Sequence, residues 1–214
     1  MDSGFEATLS LERFTRYLEW AEGDRLRALE LYALNTQLSE ALYTPLQILE
    51  VTLRNRIHTV LTDSLNECWL SKEGFLVLEH QHLQLDKVRQ DLGSAGREPT
   101  PGRIVSALTF SFWVSLLSPG YEVLWQTTLH RIARREDGKG LRRKDLATPL
   151  ARIRTLRNRV AHHEAIIHWD LPKHYSNIMQ LTFWLSPAAG DWCKRHSRFP
   201  ETCPDGGIAL ARRN

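Results

Sequence analysis

The residues with the clearest potential for chemistry lie in the stretch from Arg152 to His163. This stretch contains four arginines, one asparagine and two adjacent histidines in twelve residues. Ile153, Leu156 and Val160 recur within it at spacings of three and four, which predicts a helix with one buried stripe and a cationic remainder. A surface of this kind is suited to binding an anion.

Three of these side chains, Arg157, Asn158 and His162, form the tightest catalytic candidate. Histidine transfers protons near neutral pH, arginine binds phosphate through two donors, and asparagine orients either partner. Such groups are sufficient to cleave a ribose-phosphate backbone without a metal ion. The alternative is a solvated basic helix face, with its histidines near the C-terminal end, where positive charge is favourable.

An ideal helix does not direct Arg157 and His162 to the same point, because the two positions lie about 140° apart around the axis. Three arrangements remain open. The long arginine side chain spans the gap, the helix ends or bends near Ala161, or a second copy of the motif faces the first.

A second group of polar residues, here called the upstream polar line, lies about a hundred residues earlier. Glu50, Arg54 and His58 follow one another at intervals of four, and Asn55 lies beside them. If the line is exposed, each ion pair contributes only about 0.2–0.5 kcal/mol. The alternative is that Glu50, Arg54 and Asn55 lie near the Arg157 helix and orient its side chains.

The sequence around Arg157 resembles a known family. Residues 157–162 have the Arg-x4-6-His form of HEPN domains, and residues 154–166 resemble the bacterial Abi-like abortive-infection family of the AbiD/AbiF type. The resemblance extends over about residues 11–185. It includes three further segments, at residues 28–39, 50–57 and 110–113.

The resemblance implies an all-α fold, a HEPN-like bundle of four to five long helices with additional short ones. It also implies a metal-independent endoribonuclease that acts as a growth-arresting, anti-phage toxin. In this mechanism a ribose 2′-hydroxyl attacks the adjacent phosphate. His162 would act as base or acid, Arg157 would stabilise the phosphorane, Asn158 would fix the geometry, and His163 is a further proton-transfer candidate. The family pattern favours an orienting role for Glu50, Arg54 and Asn55.

Basic residues are concentrated in the second half of the chain. Residues 1–100 contain 10 lysines and arginines against 16 acidic residues, whereas residues 101–214 contain 18 against 9. This asymmetry indicates a polyanionic partner, and a helix face neutralised by the acidic half is the alternative. The candidate RNA contacts are Arg142, Arg143, Lys144, Arg154 and Arg159.

The expected partners follow from this chemistry. One histidine does not supply both an acid and a base, so a homodimer that brings two motifs together is the economical solution. RNA is the expected substrate or ligand, and a toxin of this class would also meet an antitoxin made of protein or RNA. No cofactor or metal is expected, because carboxylates and cysteines do not cluster near Arg157. The alternative function is a non-catalytic HEPN module that binds RNA or a partner protein.

Length and composition fit one domain, with 214 residues, 42% hydrophobic and 25% charged. Residues 1–199 are predicted to form a single helical domain, and residues 200–214 a flexible tail. The longest uncharged run, residues 104–121, contains serines, a proline and a glycine that favour a core helix over a membrane span. Three unpaired cysteines and the lack of a signal peptide favour the cytoplasm.

Apolar periodicity and capping residues predict the individual helices. The expected elements are a helix over residues 10–21, a second capped by Asp24, a break or kink at Thr44–Pro45, further helices over residues 75–92, 103–117 and 121–135, and the motif helix beginning at Thr148–Pro149. Phe110, Phe112 and Trp113 are expected in the core.

Overall fold

The computed structural model describes residues 8–9 and 11–210 of the chain. All regular elements among these residues are helical, which confirms the all-α prediction. No helix in the described ranges has both the length and the apolar character needed to cross a membrane.

The helices are named here in chain order. They are α1 Leu11–Trp20, α2 Arg25–Ser64, α3 Glu79–Ser94, α4 Pro101–Ala107, α5 Phe110–Ser115, α6 Glu122–Thr127, α7 Arg143–Ala161, α8 Leu171–Leu185, α9 Pro187–His196 and α10 Phe199–Thr202. Short 3₁₀ turns lie at Trp69–Ser71, Pro119–Tyr121 and Leu129–Ile132. Helix α2 packs against α1, α8, α9 and α10, and α7 packs against α5 and α8.

Helix α2 is the longest element, with 40 residues and a length of about 60 Å. It begins as predicted, because an Asp24 side-chain oxygen accepts a hydrogen bond from the Arg27 backbone N–H at 3.1 Å. Of the break or kink predicted at Thr44–Pro45, the break is wrong, since the helix runs through Pro45. Burial continues on both sides of the proline, at Leu42 and Leu46, and this packing outweighs the lost hydrogen bond.

Helix α7 carries the Arg157 motif and begins five residues before the predicted Thr148. The backbone N–H of Arg142 donates to Asp145 at 2.9 Å, which closes the first turn there. Pro149 therefore lies inside the helix rather than at its start. Ile153 and Leu156 are buried, as the apolar spacing predicted, whereas Val160 is only partly buried.

The segment between α2 and α7 differs most from the predictions. Helix α3 starts at Glu79 rather than residue 75, and Leu83, expected to be apolar and inward, is 64% exposed. The single helix predicted over residues 103–117 is two helices, because Leu108 is extended and the Thr109 side chain caps α5. The helix expected over residues 121–135 ends at Thr127 and gives way to a 3₁₀ turn.

The core itself agrees with the predictions from apolar residues. Phe110, Phe112 and Trp113 are buried, as are Trp69 and Leu70 after the end of α2. These aromatic side chains contact one another edge to face, and they close the core beneath α2.

The C-terminal segment has defined positions up to residue 210. Residues 200–202 belong to α10, and the side chains of Cys203, Ile208 and Leu210 pack against the core. The flexibility predicted for residues 200–214 remains a prediction, and its last four residues lie outside the described ranges.

Candidate functional site

A groove of about 650 Å³ lies between α2 and the C-terminal end of α7. The α2 residues that line it recur every three or four positions, so they form one face of that helix. The lining residues are Thr36, Ser39, Glu40, Tyr43, Leu46, Gln47, Glu50, Val51, Arg54, Arg157, Val160, Ala161 and His163. This surface is called the α2–α7 groove below.

The two helices are joined in the groove by an ion pair between Arg157 and Glu50. The Arg157 Nε atom donates to a Glu50 carboxylate oxygen at 3.2 Å. The side chains are 39% and 21% exposed, and ion pairs of this exposure contribute at most about 1 kcal/mol to stability. The pair therefore serves mainly to orient Arg157, whose two terminal nitrogens have no partner among the described residues.

The end of α7 explains how a histidine reaches the same groove. His162 is the C-cap residue, and His163 follows it in the left-handed conformation with a φ of 56°. The His163 N–H donates to the Val160 carbonyl at 3.1 Å, and the Glu164 N–H donates to the Arg159 carbonyl at 2.8 Å. These two bonds form a Schellman motif, in which the chain reverses direction immediately after the helix.

This reversal separates the two adjacent histidines. His163 lines the α2–α7 groove together with Arg157, whereas His162 is exposed and does not line it. Of the three arrangements left open by the sequence, the structure shows the helix ending at Ala161. Glycine is the usual residue at the position of His163, and a histidine adopts the left-handed conformation there at some cost in energy.

Arg54 is the second arginine of the groove. One of its terminal nitrogens donates to the Ser106 carbonyl at 3.2 Å. Its Nε atom is buried and has no hydrogen-bond partner within the described residues. A buried donor without a partner is costly.

Besides His162, two of the predicted catalytic and orienting residues lie away from the groove. Asn158 is exposed on α7 and does not line the groove, although it is adjacent to Arg157 in the chain. Asn55 is exposed on α2 and is likewise outside the lining. Each asparagine is next to an arginine that does line the groove, and one residue corresponds to a rotation of about 100° around a helix.

Arg143, predicted to contact RNA, instead stabilises the fold. It is only 7% exposed. Its guanidinium donates to the Leu117 carbonyl at 2.6 Å and to the Glu122 carboxylate at 2.5 Å. The hydrogen bond from Arg143 also holds the pKa of Glu122 below its ordinary value. Arg143 is therefore not available to RNA, in contrast to the prediction.

The other candidate RNA contacts differ in their availability. Arg154 donates to the Ser111 hydroxyl at 3.1 Å. Arg159 pairs with Glu164 at 3.0 Å and lies over the Trp169 ring, with its Cζ atom 5.3 Å from the ring centroid. Both are half-buried and occupied within the protein.

The remaining two candidates are exposed at the start of α7. Arg142 pairs with Asp145 at 3.0 Å, and the hydrogen bond from Arg142 lowers the pKa of that carboxyl. Lys144 is exposed.

Tyr43 is a groove residue that the sequence predictions missed. It is 63% exposed and lies on the same face of α2 as Glu50. The groove lining carries two arginines, Arg54 and Arg157, and two carboxylates, Glu40 and Glu50, and an aromatic ring at its edge offers a surface on which a nucleic-acid base can stack. Its spacing of seven residues from Glu50 was the available signal, because it extends the upstream polar line by two helical turns.

The chemistry available in the groove is phosphate binding and proton transfer. Arg157 and Arg54 offer donors to a phosphate, and His163 offers a group that exchanges protons near neutral pH. No three histidine, cysteine, aspartate or glutamate side chains come together as metal ligands in the part of the chain that the structure describes.

Comparisons of this chain with protein-family models, with curated proteins and with solved structures found no match. The fold class therefore rests on the structure alone. The function is argued from the groove and from the sequence resemblance around Arg157.

Proposed function

We propose that this chain is a HEPN-like, metal-independent endoribonuclease whose active site is the α2–α7 groove. The observation that carries the proposal is the presence of Arg157 and His163 in one groove, with Arg157 held by Glu50 of the neighbouring helix. The spacing from Arg157 to His163 also falls within the Arg-x4-6-His form. The HEPN-like arrangement of the helices and the substrate class are part of the proposal.

In the proposed reaction His163 removes the proton from a ribose 2′-hydroxyl. The 2′-oxygen then forms a bond to the adjacent phosphorus, and the bond from phosphorus to the 5′-oxygen breaks. Arg157, assisted by Arg54, stabilises the charge on the phosphorane. The products are a 2′,3′-cyclic phosphate and a 5′-hydroxyl, and the leaving 5′-oxygen takes up a proton from a general acid.

A homodimer supplies that general acid in the proposal. His162 is exposed at the end of α7 and does not line its own groove, so it is free to enter the groove of a partner. A two-fold axis would then give each active site the Arg157 and His163 of one protomer and the His162 of the other. RNA bound between the protomers would relieve the repulsion between their arginines.

In the cell, the proposed enzyme is a cytoplasmic growth-arresting toxin that protects a bacterial population from phage. Uncontrolled RNA cleavage is harmful, so a protein or RNA antitoxin is the expected partner of such an enzyme. This role rests on the resemblance to the Abi-like family and not on the groove geometry.

Controlled expression tests the proposed function directly. Induction of the parent chain should stop growth and should degrade cellular RNA visibly on a gel. Arg157→Ala and His163→Ala should abolish both effects. Arg152→Ala is the matched control, because Arg152 is an exposed arginine of the same helix that does not line the groove. Intact RNA during growth arrest by the parent chain would reject the proposal.

The alternative, a non-catalytic module that binds RNA or a partner, is favoured by one observation. Tyr43, Leu46, Val51 and Val160 give the groove an apolar strip beside its charges. Such a strip also suits a partner segment with apolar side chains. This alternative predicts RNA or partner binding with no cleavage, and equal toxicity of the parent and His163→Ala.

A further inference from the structure

A second large cavity, called the basic cleft below, lies on a different side of α2 from the groove. Its volume is about 960 Å³, at the upper end of the range of about 300–1,000 Å³ usual for ligand pockets. Residues 130–136 and 138–141 form one wall and residues 183–187 the other, with Arg56 of α2 between them. Arg54 lines the groove and Arg56 the basic cleft, and these positions lie about 200° apart around α2.

The lining of the basic cleft is strongly cationic. Its charged lysine and arginine side chains are Arg56, Arg131, Arg134, Arg135 and Lys139. Glu136 is the one carboxylate among the described lining residues. Asp137, just outside, pairs with Arg135 at 3.7 Å and with Lys139 at 3.5 Å, so part of the charge is compensated. The remaining excess favours a polyanion.

Arg134 is the basic residue of the cleft whose side chain has the fewest polar contacts with the described part of the protein. Its backbone N–H donates to the Trp184 carbonyl at 2.8 Å, which joins the two walls of the basic cleft. Its guanidinium is exposed and has no partner among the described residues. The backbone is therefore fixed while the charged end remains available to a phosphate.

The basic cleft also contains an aromatic surface. Trp184 is half-buried in the lining, and the Arg135 Cζ atom lies 5.8 Å from the centroid of its ring. Bases of single-stranded RNA stack on aromatic rings and on guanidinium planes. An acidic protein surface or an inorganic anion has no base to stack on this aromatic surface, so the aromatic surface favours RNA over these ligands.

The wall that carries these residues is held in place from α2. The Arg56 Nε atom donates to the Ile132 carbonyl, and one of its terminal nitrogens donates to the Arg131 carbonyl, each at 3.1 Å. These bonds fix the 3₁₀ turn before Arg134 and Arg135 without using those two side chains. A preformed site loses less entropy when the ligand binds.

We propose that the basic cleft binds a single-stranded stretch of the substrate RNA, away from the phosphate that is cleaved. This inference rests on the proposed function, because it gives the ribonuclease a second contact that selects long single strands over short fragments. Arg134 and Lys139 contact phosphates, and a base stacks on the platform formed by Trp184 and Arg135.

The first test measures binding of a labelled single-stranded RNA by fluorescence anisotropy at several salt concentrations. Arg134→Ser with Lys139→Ser should weaken binding and reduce the slope of log affinity against log salt by about 1.4, since each phosphate contact contributes about 0.7. Trp184→Leu should weaken binding at least about fivefold through lost stacking.

The matched control is Lys87→Ser with Arg97→Ser. It removes two exposed cations that lie outside the basic cleft, so total charge falls equally while the proposed contacts remain. Its salt slope should equal that of the parent. An equal loss in the control and the cleft variant would overturn the proposal, because binding would then follow net charge only.

A second substrate distinguishes failure of the cleft from failure of the proposed function. A dinucleotide such as uridylyl-adenosine fills only the α2–α7 groove, so its cleavage should be unchanged by Arg134→Ser with Lys139→Ser, while cleavage of long RNA at subsaturating concentration falls. If the variant with Arg134→Ser and Lys139→Ser binds RNA with the same affinity as the parent, the proposed role of the cleft is rejected and the proposed ribonuclease activity is not affected. Lost affinity in the cleft variant, with no cleavage by the parent of either substrate, supports the cleft and rejects the proposed ribonuclease.

Polyglutamate serves as the competitor for a generic anion surface. It should displace the labelled RNA poorly at equal charge, because it offers no base to the Trp184 platform. Equal displacement by polyglutamate, together with unchanged binding by Trp184→Leu, would overturn the choice of RNA.

Discussion

Replacing His163 by glycine separates the backbone role of this residue from its chemical role. His163 has a φ of 56° at a position of the Schellman motif where glycine is usual. The left-handed conformation costs a non-glycine residue about 1–2 kcal/mol, and the greater freedom of an unfolded glycine costs about 0.5–1 kcal/mol. The difference predicts that His163→Gly is more stable than the parent by about 0–1.5 kcal/mol.

For a chain of this length, that gain raises the Tm by about 0–6 °C. The rate of RNA cleavage should nevertheless fall by a factor of about 10²–10⁴, the usual contribution of a positioned general base. Thermal unfolding followed by circular dichroism measures the first effect, and single-turnover cleavage of a labelled RNA measures the second. A gain in stability together with a loss of activity is the combination expected of a residue retained for its chemistry.

The chain contains a matched control for this experiment at the end of α1. Glu22 has a φ of 53°, and the Gly23 N–H donates to the Leu18 carbonyl at 2.9 Å in the same type of motif. Glu22→Gly should raise the Tm by a similar amount without changing the rate. Full activity of His163→Gly would refute a catalytic role for His163, and a Tm several degrees lower would refute the backbone argument.

Three further predictions follow from other contacts. Glu50→Gln should lower kcat about tenfold to a hundredfold, because Arg157 loses the carboxylate that orients it. The Tm should change by less than about 4 °C, because the ion pair is half-exposed. Steady-state kinetics measures kcat, and thermal unfolding measures the Tm. Burial lowers the pKa of His58, whose Nδ1 accepts a hydrogen bond from Trp69 at 3.1 Å. The unfolded chain therefore binds the His58 proton more readily than the folded chain, and the stability of the fold should decrease as the pH drops below about 6.5. His58→Gln should reduce that pH dependence in urea unfolding, and an unchanged dependence would assign the effect elsewhere. Mixing Arg157→Ala chains with His162→Ala chains should restore part of the activity if protomers share sites, whereas a fully active monomer in sedimentation would contradict the shared site.

The buried faces of the helices were predictable because they depend on local spacing. Leu150, Ile153 and Leu156 repeat at helical intervals in α7, and all three are buried. The two prolines gave misleading predictions, because their effect on a helix depends on more than local spacing. Pro45 and Pro149 have the local character of helix starts, yet both lie inside helices whose apolar stripes continue on either side. Tertiary packing, which a local pattern does not contain, decides these cases.

The site was predictable only in part. The proximity of Glu50 to Arg157 was expected only from the family resemblance. The two residues are 107 positions apart, and the spacing of apolar residues does not predict contacts over such a distance in sequence. The entry of His163 into the groove depends on a left-handed turn, and the sequence has no glycine at this position to predict such a turn. The burial of Arg143 depends on the Glu122 carboxylate and the Leu117 carbonyl, which the fold alone brings together.

The chemistry of the RNA ends tests the central claim most directly. Purified parent chain, incubated with a single-stranded RNA in excess chelator, should produce 2′,3′-cyclic phosphate and 5′-hydroxyl ends, resolved by mass spectrometry. Arg157→Ala should produce none, while Arg152→Ala should cleave like the parent. Products with 5′-phosphate ends, or activity that chelator removes and a divalent ion restores, would contradict a metal-independent ribonuclease site at Arg157 and His163.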